Sequence, residues 1–520
     1  MLIKISNKIL SRLAVIKKQI MIRRLFISQN RSYWEDDKNE NKKRNKKVIL
    51  VEISEKNPFE LESNMRVSKT IEENNGGRIV VLLSSFLSVG EPYYKLAKSY
   101  SVFRVILFER FIFRKSVYFL KSLIEAINLY RETHSLEDIE QIIYKKILIG
   151  DLIYDTYIRL LDKGYSPKKD FYLFKLIVQS LLKYKMVNYI FETNDVEYLV
   201  VADKCYIKHG ILYRVAIEKG VKVLMPTKEL KLLHKDNINT HFYHPELSLT
   251  LLRKKLVGVN YKKELEEYFQ KRFSGAIDQI DVVTSYRNKK VYSEAEVIDL
   301  LDLDRDKKNV VIMPHAFSDF PHVAEGLFSD YYVWLVELLK IVRVVDNVNW
   351  IIKPHPTSYF FNETGAVENL LVELKVKNVK IVPEDLNTSS IKDFADIILT
   401  VRGTAGLEFA TFGIPVVTAG KGCYSGYGLD IEPVSKLEYR HTIANLDRVD
   451  RLTEEKIDVS RILFHYLFIK KNAKLNYLMD GIESNLSDYT GVLLNIVNNN
   501  KIENIRENIL YKETLLHLSA

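Results

Sequence analysis

Short apolar runs recur along this chain, separated by longer stretches in which apolar and polar positions alternate with helical spacing. In the first half the runs predict strands at Val48–Ile53, Ile79–Leu83, Val102–Phe108, Tyr198–Ala202 and Val221–Leu224. In the second half they predict strands at Val310–Met313, Asn349–Lys353, Val379–Val382, Ile397–Val401 and Pro415–Thr418. Strands that are apolar throughout and alternate with helices belong to parallel α/β sheets covered on both faces. Among the helices, Ser135 followed by Asp138 reads as a capping box. Phe171–Phe191 is apolar nearly all round and should be buried. Lys254–Lys271 reads as a surface helix, and Lys289–Lys308 as a connection between domains. Further helices are predicted at Tyr331–Asp346, near Gly365–Leu374, at Ala405–Phe412 and from Ser435 onward; the last 70 residues read as helices only. No repeat of solenoid length is present.

Length and composition narrow this picture. A chain of 520 residues exceeds one ordinary domain, so two are expected. With 47% hydrophobic and 28% charged residues, a wholly disordered chain is excluded. Cys205 and Cys423 stand far apart, which argues against a disulfide framework and for a reducing, cytoplasmic compartment. The formal charge of +10 suits phosphate-bearing or anionic partners. Much of it lies at the N-terminus, where Met1–Trp34 contains no acid. Ile9, Leu13, Ile16 and Ile20 lie there at helical spacing between lysines and arginines, the pattern of a basic amphipathic helix. It could lie on an anionic membrane surface, serve as a transit peptide, or be a plain solvated helix. It is too short in apolar residues to span a bilayer. The run Lys38–Lys47 reads as a linker, and without interleaved aromatics no nucleic-acid partner is expected.

Polar residues with chemical potential gather at strand ends in the second half, where open α/β sheets bind ligands. The first predicted strand there runs into His315, Asp319 and His322. His315 or Asp319 could contact substrate, or the loop's polar residues could simply bond their own backbone. The second runs into Lys353-Pro354-His355-Pro356, which presents one imidazole rigidly beside a point charge. The third runs into Arg402-Gly403-Thr404-Ala405-Gly406 and a helix carrying Glu408. Small residues let backbone approach a ligand, and N–H groups at a helix start attract phosphate. The same small residues would also serve tight helix–sheet packing. Glu408 could accept hydrogen bonds from ribose hydroxyls. Beyond lies a glycine-rich loop with Tyr424 and Tyr427. No P-loop lysine pattern supports an ATPase. A metal reading of His315, Asp319 and His322 stays open, against which Pro321 keeps the three off one helix face and no Cys or further His reinforces them.

The first half offers less. In Ile149-Gly150-Asp151-Leu152-Ile153-Tyr154-Asp155, Asp151 is either a general base or a helix cap. Asp203 follows a strand and opens a loop leading through His209 and Gly210 to a helix with Tyr213 and Arg214. Ser84-Ser85-Phe86 is a weaker candidate and reads as a turn.

Taken jointly, HAFSDFPH, NVNWIIKPHP, TVRGTAGLEFATFGIPVV and YSGYGLDIEP resemble bacterial capsule and surface-polysaccharide biosynthesis proteins. IGDLIYDTYIR and KHGILYRVAIEKGV are similar to that family's N-terminal half. The resemblance covers roughly Lys146–Pro433 and is densest over Val310–Pro433. It implies an α/β chain of two Rossmann-like domains, a glycosyltransferase fold of the GT-B type; the basic N-terminal helix, which lies outside the resemblance, and the helical C-terminal tail are read from the residues themselves. The expected divisions are residues 1–47 (basic amphipathic extension and linker), 48–288 (N-terminal Rossmann-like acceptor domain), 289–450 (C-terminal Rossmann-like donor domain) and 451–520 (C-terminal helices). The implied activity is metal-independent transfer of a sugar from a nucleotide-activated donor to a glycan or lipid-linked glycan acceptor, at the inner face of the cytoplasmic membrane if the first helix binds lipid. The nucleotide sugar is a substrate, and no cofactor is expected. The resemblance assigns His355 and Pro356 to the donor phosphate, with Lys353 beside them, Arg402–Gly406 to a second donor element, and Glu408 to the ribose. The catalytic candidates Asp151, Asp203, His315 and Asp319 rest on local residues alone. Open alternatives are a nucleotide-sugar epimerase, a glycerophosphate-type polymer transferase, and a non-catalytic assembly or export component.

Overall fold

The computed structural model describes residues 2–36, 46–54, 58–83, 90–160, 165–226, 230–233, 248–277, 279–470, 493–494, 496 and 509–519. The turn expected at Ser84–Phe86 and most of the expected linker lie outside them. The chain divides into two compact units: Met1–Ile153, Lys168–Ile238 and Asn472–Ala520 form the first, Tyr154–Pro167 and Asn239–Lys471 the second.

The first unit is built on β1 (Val48–Ile53), β2 (Arg78–Leu83) and β3 (Arg104–Leu107), followed by a small ladder of β4 (Ile143–Tyr144) and β5 (Ile147–Leu148), then β6 (Val196–Val200), β7 (Lys222–Pro226) and β8 (Leu230–Leu233). The main sheet runs β3-β2-β1-β6-β7-β8 and is parallel except for the antiparallel edge strand β8. β1 is buried along its whole length, as expected of a strand covered on both faces. The predicted strand Val102–Phe108 contributes only Arg104–Leu107 to the sheet, because a helix starts at Phe108. Ser135 and Asp138 form the expected capping box. The apolar helix Phe171–Thr193 buries most of its core-facing residues.

The N-terminal helix Leu2–Asp36 is built into this unit rather than lying free. Ile22, Phe26 and Trp34 sit in the core. Asn30 donates to Ser99 Oγ at 2.8 Å and accepts from Trp34 Nε1 at 3.0 Å. Val15, Ile16 and Met21 remain exposed. The C-terminal helix Ile509–Ser519 packs on Pro58–Asn75 of the same unit. Among the described residues, no helix is long and apolar enough to cross a membrane.

The second unit carries β9 (Asn309–Ile312), β10 (Asn349–Ile352), β11 (Val379–Ile381), β12 (Ile397–Thr400), β13 (Val416–Thr418) and β14 (Asp430–Ile431). The order is β11-β10-β9-β12-β13-β14, with every pairing parallel. Alternate residues feed two separate cores. Val310, Ile312, Trp350, Ile352, Ile397 and Leu399 face one; Val311, Ile351 and Ile398 face the other. Each fully buried aliphatic side chain contributes roughly 1.5–3 kcal/mol.

Two stretches differ from expectation. Lys289–Lys308 is not a bare connection: Glu294–Leu301 is a helix capped by Ser293 and Glu296, with Val297 and Leu301 in the core. The predicted surface helix at Lys254–Lys271 is two helices, Leu249–Lys255 and Tyr261–Phe273. Gly258, at φ +79°, turns the chain between them, and Asn260 caps the second.

Candidate functional site

Parallel pairing of β9 with β10 and β12 sets Ile312 beside Ile352 and Leu399. The loops leaving these strands therefore emerge together at the carboxyl edge of the sheet, where its strand order reverses direction. There the structure opens a cavity of about 420 Å³, lined by His315, Phe317, Lys353, His355, Pro356 and Glu363 among others. Glu363 holds the first loop in place by accepting from Phe317 N at 2.7 Å, Ser318 N at 2.9 Å and Ser318 Oγ at 2.7 Å. His355 is fixed by Thr357, whose Oγ1 lies 3.0 Å from Nδ1.

Lys353 is buried, and burial together with nearby Lys289 lowers its pKa to about 8. Burial and the Lys353 charge push His355 down to about 4, against a smaller opposing effect of Asp281. Burial, His355 and Arg402 hold His315 well below the usual imidazole range. Both imidazoles are thus neutral at pH 7, so His315 Nε2 can accept from the backbone N–H of Arg402 at 3.3 Å. The His315 ring stacks on Tyr331 at 4.1 Å between centroids.

Arg402, held to His315 through its backbone N–H, does not line this cavity. Its guanidinium is 5.8 Å from the Tyr331 ring centroid. The side chain is only 8% exposed, and its Nε and Nη1 atoms are fully buried without a hydrogen-bond partner. No carboxylate of the described residues forms an ion pair with it. Burial lowers its pKa, partly opposed by Tyr331, Asp155 and Tyr424. Two backbone segments crowd it: a Cβ on Gly326 would come within 3.0 Å of Nη2, and one on Gly420 within 2.9 Å. Buried polar groups are nearly always satisfied, and an unpaired buried cation is among the costliest exceptions. The second unit therefore holds two buried cations, Lys353 and Arg402, that form no ion pair among the described residues, although the charge of Asp155 acts on Arg402.

The small-residue turn has packing reasons of its own. A Cβ on Gly406 would fall 2.3 Å from Tyr424 Oη, and Tyr424 Oη donates to Gly403 O at 3.0 Å. The following helix, Thr404–Ala410, has seven residues and no side-chain cap. Gly406 N is committed to Gly403 O at 2.9 Å. Thr404 is exposed and Ala405 half-buried. Glu408 is buried, with its two oxygens accepting from Tyr286 Oη at 2.5 Å and Arg272 Nε at 3.0 Å. Asp319 is exposed at the tip of the first loop.

A pair that sequence reading did not assemble lies on the Tyr331 side of this site. Phe320, at φ +49°, leads into a short 3-10 turn, Pro321–Val323, carrying His322. His322 Nδ1 lies 2.6 Å from Oδ1 of the fully buried Asp155. Tyr154 packs edge-on against the imidazole at 4.8 Å, and its hydroxyl donates to Asp330. Asp330 caps the helix Tyr331–Val342 through Val333 N at 2.6 Å. A carboxylate that orients an imidazole is one arrangement of a general base, although His322 Nε2, the nitrogen that would take a proton, is itself buried.

In the first unit, Asp151 is paired bidentately with Arg214, at 2.6 and 2.5 Å. Asp203 accepts from Lys204 N at 2.6 Å and Cys205 N at 3.2 Å, a turn that opens the helix Tyr206–Glu218. A buried cluster unforeseen in the sequence surrounds Glu52 near the end of β1. Lys183 Nζ lies 2.9 Å from its Oε1, His209 Nδ1 lies 2.8 Å from its Oε2, and Ser54 Oγ lies 3.2 Å from His209. Among the described residues no group of three or more His, Cys, Asp or Glu side chains is placed to hold a metal ion.

Comparison with known proteins gives one sequence match. Residues 206–445 match the family described as capsule polysaccharide biosynthesis protein. No curated protein matches the chain. Among solved structures it is similar to the beta Kdo 2,7 transferase of Thermosulfurimonas dismutans KpsC, at 20% identity over 53% of this chain and 88% of that one, with a TM-score of 0.28. The beta Kdo 2,4 transferase of the same protein is 14% identical over 54% and 87%, with a TM-score of 0.28. A glycosyltransferase from Rickettsia africae is 12% identical over 91% and 99%, with a TM-score of 0.24. Scores this low leave the fold to be read from its own strands. The motifs that carry the resemblance are met by this match: residues 206–445, less than half of the chain, are similar to capsule polysaccharide biosynthesis proteins.

Proposed function

We propose that this protein is a GT-B glycosyltransferase of surface-polysaccharide synthesis, which transfers a sugar from a nucleotide donor to a glycan hydroxyl. The observation that carries the reading is Arg402, a buried guanidinium with unsatisfied nitrogens and no carboxylate partner. A phosphate oxygen is the ligand that would satisfy it, and Lys353 adds a second charge at the same sheet edge. The strand order of both sheets, third-second-first-fourth-fifth-sixth, is that of doubly wound nucleotide-binding folds and supports two Rossmann-like domains. The family match supports a polysaccharide product.

In this reading His322, oriented by Asp155, takes the proton of the acceptor hydroxyl. The oxygen bonds to the anomeric carbon as the bond from that carbon to the donor phosphate breaks. Arg402 and Lys353 stabilise the charge that develops on the leaving phosphate, so transfer needs no metal. His315 and His355, neutral at pH 7, act as hydrogen-bonding groups rather than charges.

The test is release of nucleotide that depends on acceptor glycan. His322→Asn should lower turnover about 10²–10⁴-fold while donor affinity holds. Turnover of the nucleotide sugar without acceptor would favour an epimerase instead. Nucleotide binding that falls as steeply as turnover in His322→Asn would remove His322 from the proton transfer.

A further inference from the structure

The first unit leaves a large apolar surface uncovered. On the helix Ser116–Glu132, Val117, Leu120 and Ile124 are 57%, 58% and 64% exposed, and Ile127 continues the row. Their spacing of three and four residues places them on one stripe. Ser122 and Ala126 are buried, so the stripe is a second apolar face, turned away from the core. Two more exposed apolar side chains stand on the neighbouring helices: Phe113, 85% exposed, near the end of the helix Phe108–Arg114, and Phe171, 79% exposed, at the start of Phe171–Thr193. These three helices converge on an apolar groove of about 730 Å³ lined by Ile112, Phe113, Phe119, Leu123, Phe171 and Phe174 among others. Stable soluble chains rarely leave a contiguous patch of this kind without a partner.

Charge identifies the partner. Arg110, Arg114, Lys121, Arg131, Lys168 and Lys175 are all exposed on the same elements or just before them, and none forms an ion pair among the described residues. Lys169 ties the two sides together, donating to Arg131 O at 3.2 Å. Glu109, Glu132 and Asp170 are the nearby opposing acids; Asp170 accepts from the backbone of Tyr172 and Leu173, and Glu125 is already taken up by Lys185 and Tyr144. A second copy of this chain seated on the face would set these cations against themselves. Exposed aliphatic and aromatic side chains among unpaired lysines and arginines match the boundary between acyl chains and anionic headgroups.

We infer that this face docks on an anionic phospholipid bilayer, with Phe113, Phe171 and the Val117–Leu120–Ile124 stripe entering the interface. The inference is independent of the donor site. It also moves the membrane contact away from the N-terminal helix, whose later turns are in the core.

The test is flotation of the full chain with vesicles of phosphatidylcholine alone or mixed with phosphatidylglycerol. Binding to the mixed vesicles should be at least tenfold tighter and weaken with salt, since each cation near an anionic leaflet strengthens binding about fivefold. Leu120→Asp with Ile124→Asp should lose at least tenfold, while thermal midpoint and nucleotide affinity stay at the wild-type values. Val15→Asp with Met21→Asp, on the exposed side of the first helix, should lose less than threefold. Three results would overturn the inference: no binding of the wild-type chain to anionic vesicles, unchanged binding of the Leu120/Ile124 variant, or loss only in the Val15/Met21 variant. A Leu120/Ile124 variant that changes sedimentation but not vesicle binding would make the face a protein–protein surface and likewise overturn it.

Discussion

The two sheets share one strand order, and each gathers buried charge near the ends of its central strands, yet the two clusters differ in balance. In the first unit Glu52 sits between Lys183 and His209. Burial alone would raise its pKa, but those two partners outweigh it and hold Glu52 down at about 2. The cluster is internally compensated and asks for no ligand. In the second unit Lys353 and Arg402 have no such carboxylate. Burial depresses the pKa of both. The same architecture thus yields a paired network in one unit and two buried cations without an ion-pair partner among the described residues in the other. A buried charge without a partner costs the fold, and an anion bound beside it would offset that cost.

The comparison can be broken most directly by removing one member from each cluster. Glu52→Leu strands Lys183 in the core and should destabilise the first unit by about 3–5 kcal/mol, read from its urea transition. Arg402→Met should do the opposite to stability, leaving the unfolding midpoint of the second unit unchanged or higher, because it removes an unpaired buried charge. The same variant should lose about 1.5–3 kcal/mol of nucleotide affinity, roughly 10- to 150-fold.

Protons sharpen the contrast further. Burial raises Glu60, beside the first cluster, from its ordinary 4.5 to about 7. Between these values the folded state binds more protons than the unfolded one, so stability falls as pH rises from about 4.5 to 7. The contribution is at most about 3 kcal/mol, and Glu60→Gln should flatten that slope in thermal melts taken across the window. The smallest effect belongs to the second cluster. Lys353 loses its proton above about pH 8, and an anionic ligand favours the charged form. Nucleotide affinity should therefore fall above pH 8, by no more than about tenfold per unit, and Lys353→Met should abolish the dependence. Affinity that rises with pH would show that Lys353 does not face the anion.

Much of the layered architecture was legible in the chain, because strands covered on both faces are unbroken apolar runs. The main-sheet strands not anticipated were β8 and β14. β8 is an antiparallel edge strand, and β14 has two residues, too few to display any period. The loops carrying His315, Lys353, His355 and Arg402 were legible because each follows such a run directly. What a linear reading could not supply were partners. His322 and Asp155 are 167 positions apart, and nothing local marks them as a pair. Glu408 looks free in the sequence, but Arg272 and Tyr286, from a helix and a following segment more than a hundred residues earlier, occupy both its oxygens. Asp151 is similarly matched by Arg214. Conversely, what sets Arg402 apart is a missing partner, which only the folded structure displays.

In the proposed reaction Arg402 and Lys353 both face the phosphates of the bound nucleotide. Calorimetric titration of the wild-type chain and Arg402→Met with CMP, CDP, UDP, GDP and dTDP, without added metal, tests it most directly. The account predicts that one nucleotide binds the wild-type chain, and that Arg402→Met binds it at least tenfold more weakly while remaining folded. Equal affinity in the two proteins, or no binding of any nucleotide by the folded wild-type chain, would contradict it.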